Sequence, residues 1–124
     1  MSKRISIHTG SIQVEAELVD NATSGVIWKA LPLESVVNTW GQEIYFSIPV
    51  TTELENGQEV VGAGDIAYWP PGKAFCIFFG PTPVSHGDEI RAASKVNVFG
   101  KVIGDPEILR RVSDGEKIFV EKVE

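Results

Sequence analysis

Residues 95–112 read KVNVFGKVIGDPEILRRV, and few shapes satisfy that string. An apolar run is interrupted by Gly100, resumes as far as Ile103, and then meets Gly104 and Asp105. A short helix follows with a full set of end signals. Asp105 can cap it, Pro106 fits the first helical position, Glu107 lies early, and Arg110 and Arg111 lie late. The string predicts a strand over 96–103 and a helix over 105–112, with Ile108, Leu109 and Val112 facing a core.

The rest of the chain is short strands cut by glycine and proline. Residues 4–8 alternate, with Ile5 and Ile7 opposed to Arg4, Ser6 and His8. After Gly10, residues 12–18 alternate again, Ile12, Val14, Ala16 and Leu18 against Gln13, Glu15 and Glu17. Period two with one wet face predicts an antiparallel hairpin. Thr23 is the expected cap of a helix over 24–30, with Val26, Ile27 and Ala30 on its packed side and Pro32 ending it. Residues 33–39 read as one strand, and Trp40-Gly41 as a turn. Residues 43–48 alternate Ile44, Phe46 and Ile48 with Glu43, Tyr45 and Ser47. Residues 51–64 are polar and carry an Asn56-Gly57 turn signal, which reads as an exposed loop or a small hairpin.

Residues 65–69 form the next expected strand, and Pro70-Pro71-Gly72 breaks it. Residues 74–79, AFCIFF, are apolar without interruption, as a strand buried on both faces would be. Gly80-Pro81-Thr82-Pro83 breaks the chain again. These proline pairs are expected to make rigid corners, and either could hold a cis bond. Residues 117–123 are the last strand. About eight short strands and two short helices predict a mainly β protein. The expected architecture is a closed barrel with the helices capping its ends, since closure removes exposed sheet edges. No repeat or linker divides residues 1–124, so one domain is expected.

Charge and composition exclude several classes. The net charge is −6, from 17 acidic and 11 basic residues, with no basic stripe, so nucleic acid is not an expected partner. No window approaches the roughly 18 apolar residues of a membrane span, and the first residues lack a signal-peptide core, so a cytoplasmic protein is expected. One cysteine, Cys76, rules out an internal disulfide, and Phe75 and Ile77 beside it predict a buried thiol. Only one Met and one Cys fit a thermophile's composition. His86, Asp88 and Glu89 read as a solvated turn rather than a metal site, because His8, the other histidine, lies on a distant strand. No serine sits in a G-x-S-x-G elbow, and Gly62-Ala63-Gly64-Asp65 lacks the lysine and hydroxyl of a phosphate loop. No cofactor is expected.

The ordered segments resemble the cyclophilins. EIYFSIP (43–49) is similar to their third strand, GDIAYWPPGKAFCIFFG (64–80) to the two central strands, and KVNVFGKVI to the closing strand before the final helix. More narrowly, AYWPPGKAFCIFFGPTP and GDEIRAASKVNVFGKV resemble a small prokaryotic cyclophilin-like family, exemplified by a Thermotoga protein of about this size. The resemblance implies a cyclophilin-like barrel and no settled activity. Cyclophilins lower the barrier to prolyl rotation with an arginine on the third strand. Aligned on Pro49, that position is Phe46, and the strand expected to carry a glutamine has Cys76 to Phe79 instead. No catalytic residue is carried over.

Two functions remain open. One is a binding module for a proline-containing peptide or a small apolar ligand, with Trp69 and Phe78 as floor and Tyr45 as polar handle. The other is a peptidyl-prolyl isomerase with a relocated donor, for which Arg91 is the nominee. Among the aromatics, Tyr45, Tyr68, Trp69, Phe75, Phe78 and Phe79 must divide between core and groove. A third reading, self-association, would use Trp40 or Trp69 as interface anchors.

Overall fold

The computed structural model describes residues 3–123. Strands β1 (Lys3–Thr9) and β2 (Ile12–Leu18) form the expected hairpin, with Ile7 opposite Val14. Helix α1 (Ala22–Ala30) follows, then β3 (Leu33–Val36), β4 (Asn38–Thr39), β5 (Glu43–Ser47) and β6 (Gln58–Val61). Strand β7 (Asp65–Trp69) leads through a 3₁₀ turn, Pro70–Gly72, into β8 (Ala74–Phe78). The long β9 (Ile90–Ile103), a 3₁₀ helix (Pro106–Arg111) and β10 (Lys117–Val123) complete the chain.

All pairings are antiparallel, in the order β3-β10-β1-β2-β9-β7-β8-β5-β4, with β6 added to β9. The fold is mainly β as expected, but the sheet has ten strands and is not closed into a barrel. The segment read as one strand over 33–39 is two. Leu33–Val36 pairs with β10, while Asn38–Thr39 pairs with β5. Between them Val37 exchanges backbone hydrogen bonds with Glu116 and Gly115. The chain therefore passes from one end of the sheet to the other without a ladder joining the two ends. Across the gap between β3 and β5 the Ser35 hydroxyl donates to the Ser47 carbonyl at 2.7 Å.

One face of the sheet encloses the main core. Ile5, Ile7, Ile44, Phe46, Ile66, Tyr68, Phe75, Ile77 and Phe99 are all at most 1% exposed there. Phe46 stacks on Phe75 at 4.8 Å, and Phe75 meets Phe99 edge-on at 5.1 Å. The Tyr68 hydroxyl is satisfied by the Val50 carbonyl at 2.6 Å, as a buried phenol must be. Gly100 lets β2, β9 and β7 approach: a Cβ there would lie 2.7 Å from the Glu17 carbonyl oxygen and 2.8 Å from the Ile66 side chain.

Helix α1 starts earlier than expected. Asn21, not Thr23, is its cap: the Asn21 side chain accepts from the Ser24 N–H at 2.8 Å, and the Ser24 hydroxyl accepts from the Asn21 N–H. Ile27 packs into the core, while Val26 is 40% exposed. Thr23 is free for another task. It donates to Glu55, whose carboxylate also accepts the Ala22 and Thr23 N–H groups, so a loop acid sits on the helix N-terminus. Asn97 on β9 ties that loop down, accepting from the Glu55 N–H and donating to Thr23 and to the Glu53 carbonyl. The second helix is 3₁₀, with Asp105 accepting the Glu107 N–H and Leu109 fully buried. The cis peptide is Leu31–Pro32, not one of the proline pairs after β7 or β8.

Candidate functional site

A strand buried on both faces needs cover on both sides of the sheet. Every residue of β8 is buried. Its Phe75 and Ile77 face the main core, while Ala74, Cys76 and Phe78 face the opposite side. Opposite them on β5 stand Ser47, Tyr45 and Glu43, and on β7 stand Trp69 (opposite Ala74) and Ala67 (opposite Cys76). This second face is covered by Val61 of β6 and by Ile90, Ala92 and Val96 of β9. The cover needs β9 to begin six residues before the strand expected over 96–103, and the extra length pairs with β6.

The cover is incomplete, because Ala92 and Ala93 are small. A cavity of about 250 Å³ remains, lined by Trp40, Glu43, Tyr45, Trp69, Cys76, Ala92, Ala93 and Val96. Three half-buried aromatic rings make its walls. Trp69 is fixed at both sides. Its indole N–H donates to the Ser94 hydroxyl at 2.6 Å, and its six-membered ring lies where a Cβ on Gly72 would be only 2.8 Å away. The Trp40 backbone N–H donates to the Glu43 backbone carbonyl at 2.9 Å, at a turn where Gly41 has φ +60°.

Glu43 is 5% exposed, yet it belongs to the face the sequence marked as wet. Among the described residues its carboxylate accepts no hydrogen bond from a nitrogen or hydroxyl donor; the Cys76 thiol lies beside it and itself donates to the Ala74 carbonyl at 3.9 Å. Burial pushes the Glu43 carboxyl up to about 7, an effect the thiol contact opposes only in part. Cys76 is 2% exposed, and burial together with the Glu43 charge raises its thiol well above the ordinary range. The thiol stays protonated, which removes it as a nucleophile.

Of the four residues predicted for a site, the cavity takes two. Tyr45 and Trp69 line it. Phe78 is fully buried opposite Glu43 and packs behind the cavity rather than in its lining. Arg91 precedes Ala92, but its guanidinium points to acids. It donates to Glu89 from Nε at 2.6 Å and to Glu59 from Nη1 at 2.9 Å. Phe46, where alignment places the isomerase arginine, is turned into the main core. Trp40, Glu43, Cys76, Ala92, Ala93 and Val96 complete the lining, and the sequence names none of them for a ligand site, although Trp40 reads as an interface anchor and Cys76 as a buried thiol. A signal for Glu43 was present: it pairs with Phe78 on a strand apolar on both sides, which puts it beside buried surface, although Ser47 on the same face is exposed.

Elsewhere, the His86 side chain is 83% exposed and lies 3.6 Å from Glu89. Among the described residues no group of three His, Cys, Asp or Glu could hold a metal ion, and no helix is long and apolar enough to cross a membrane. A second, more open hollow of about 410 Å³ lies beside the β1–β2 turn, bordered by Arg111, Glu116 and Lys117. Its acid is already bonded to the Thr9 hydroxyl and the Ser113 N–H.

The cyclophilin-like family model matches residues 3–121 of the chain. The chain belongs to the cyclophilin-like family. Its fold is also similar to the solution structure of the hypothetical protein AF2241 from Archaeoglobus fulgidus. The two share 44% identity over 98% of this chain and 95% of that one, with a TM-score of 0.83. No curated protein matches this cyclophilin-like chain.

Proposed function

We propose that this protein binds a small ligand or a short peptide segment in the cavity of β5, β8, β7 and β9 and does not turn it over. One observation carries the reading: three aromatic walls enclose a mostly apolar space that no Lys, Arg or His lines. Prolyl isomerisation must weaken an amide resonance that sets a barrier of about 20 kcal/mol. That calls for a strong donor aimed into a dry pocket. The groups of lining residues that can donate here, such as the Tyr45 hydroxyl, the Trp40 indole N–H and a protonated Glu43, carry no positive charge. Arg91, the relocated donor of the alternative reading, is engaged by Glu89 and Glu59.

The test has two arms. A protease-coupled isomerisation assay on proline peptides should give no rate above the uncatalysed one. A thermal-shift panel of peptides and small metabolites should yield at least one that raises the melting temperature of wild type and not of Trp69→Ala. Turnover that disappears in Arg91→Ala would establish the isomerase instead.

A further inference from the structure

An apolar ligand alone leaves Glu43 unexplained. Glu43 is 5% exposed and lines a cavity that holds no Lys, Arg or His, so its carboxyl is costly to hold in its charged form. A leucine or glutamine would close the same floor more cheaply. What returns that cost is an occupant of opposite charge. A bare metal ion does not fit, because one carboxylate is not a coordination shell and no triad of ligating residues gathers there. A primary ammonium carries three N–H donors that each want an acceptor, and the walls are mainly carbon. An alkylated ammonium is different. Its charge is spread over C–H surface, and it needs aromatic faces and one counter-charge rather than a set of acceptors.

We propose that the ligand of this cavity carries a compact alkylammonium group, seated among Trp40, Tyr45 and Trp69 with the Glu43 carboxylate as its counter-charge. The proposal rests on the binding reading above and names the chemical class of its ligand. The lining supports it from each side. Strand β5 supplies the carboxylate and the phenol, β7 the pinned indole, and the turn before β5 the second indole. Strand β9 supplies only Ala92, Ala93 and Val96, which leave room for the tail of the ligand. The titratable groups facing Glu43 are the Cys76 thiol on β8 and the Tyr45 phenol on its own strand, and neither brings a positive charge. Arg110 reaches only the neighbouring Gln42 side chain.

Binding is then linked to a proton. A cation favours the ionised carboxyl, so uptake of the ligand below the Glu43 titration releases a proton and weakens as pH falls.

Choline and its neutral carbon isostere, dimethylbutanol, are the probes, titrated calorimetrically into the full chain at about pH 5.5 and about pH 8.5. Choline should bind roughly thirtyfold tighter at the higher pH, while the isostere should bind more weakly than choline at that pH and gain nothing from it. Glu43→Gln, checked by near-ultraviolet circular dichroism for an intact fold, should remove the pH dependence and bring the two probes level. Equal binding of both probes to wild type overturns the cationic class and leaves the binding reading standing. Binding of the isostere alone does the same. Binding of neither overturns the cationic class, and the binding reading falls with it only if the thermal-shift panel is also silent.

Discussion

Replacing Glu43 by glutamine keeps the shape of the cavity floor and removes its one ionisable proton. The consequence for stability follows from the carboxyl's titration. In the folded chain it is raised from 4.5 to about 7. Folding therefore holds the proton more tightly than the unfolded chain does. Between those two values the native state binds more protons than the unfolded state, so stability falls as pH rises. Below about pH 4.5 both states are protonated and the term vanishes. Above about pH 7 it is complete, and 2.5 units at about 1.4 kcal/mol each gives about 3 kcal/mol against the fold. For a chain of 124 residues that is roughly 10 °C in melting temperature.

Glu55, Glu89 and Glu116 are shifted the other way, by hydrogen bonds from backbone and side-chain donors. Their stabilisation is present above the ordinary carboxylate range and lost as pH falls through their lowered values. All three remain in the variant and cancel in the difference. The glutamine amide adds a constant offset of about 1–3 kcal/mol if it lacks partners, so the slope is what reports on Glu43. Urea unfolding of both proteins from about pH 4 to about pH 8.5 should show the variant gaining about 3 kcal/mol relative to wild type through the window. A difference that stays flat across it would refute a carboxyl desolvated by burial.

Other consequences of the packing can be measured in the same way. Gly72→Val puts carbon where the Trp69 ring lies and should tilt the indole off Ser94, abolishing the ligand-induced thermal shift at a stability cost of about 1–2 kcal/mol. Gly100→Ala drives a methyl into the Glu17 carbonyl and Ile66, and should cost about 1–3 kcal/mol in urea unfolding. Asn97→Ala leaves the Glu55 N–H, the Glu53 carbonyl and Thr23 short of a partner. It should cost about 2–4 kcal/mol and speed amide exchange at Glu55 and at the first turn of α1.

Much of the fold was legible because glycine and proline cut the chain where the strands end. Residues 65–69 and 117–123 carry the boundaries their alternation and flanking breaks suggest. The 3₁₀ helix after β9 was announced by Asp105 and Pro106. The missed features share a cause: they depend on partners distant in sequence. Ala92-Ala93-Ser94-Lys95 has no apolar alternation of its own and becomes strand only because β6 and the outer face of β7 and β8 receive it. The closure of the barrel failed at Val37, whose hydrogen bonds to Gly115 and Glu116 divide one expected strand into two. Thr23 and Asn21 are equally good caps locally. Ser24 at the third position completes the box for Asn21, and Glu55 and Asn97 claim Thr23.

The lining of the candidate cavity was legible only in part. Tyr45 and Trp69, picked out as aromatics that cannot all fit one core, line the cavity. Phe78 lies outside the cavity lining, and a strand buried on both faces gives no clue to which of its residues meets a cavity and which packs behind one. Arg91 was chosen as a cation in an irregular segment, but Glu89 and Glu59 take its charge.

The binding claim is tested most directly by following amide and indole ¹⁵N–¹H resonances during titration with a ligand that raises the melting temperature. The cavity assignment predicts shifts at the Trp40 and Trp69 indoles and at the amides of Glu43, Tyr45, Ala92 and Ala93. Shifts gathered instead at Gly10, Arg111 and Lys117, around the open hollow, would contradict it.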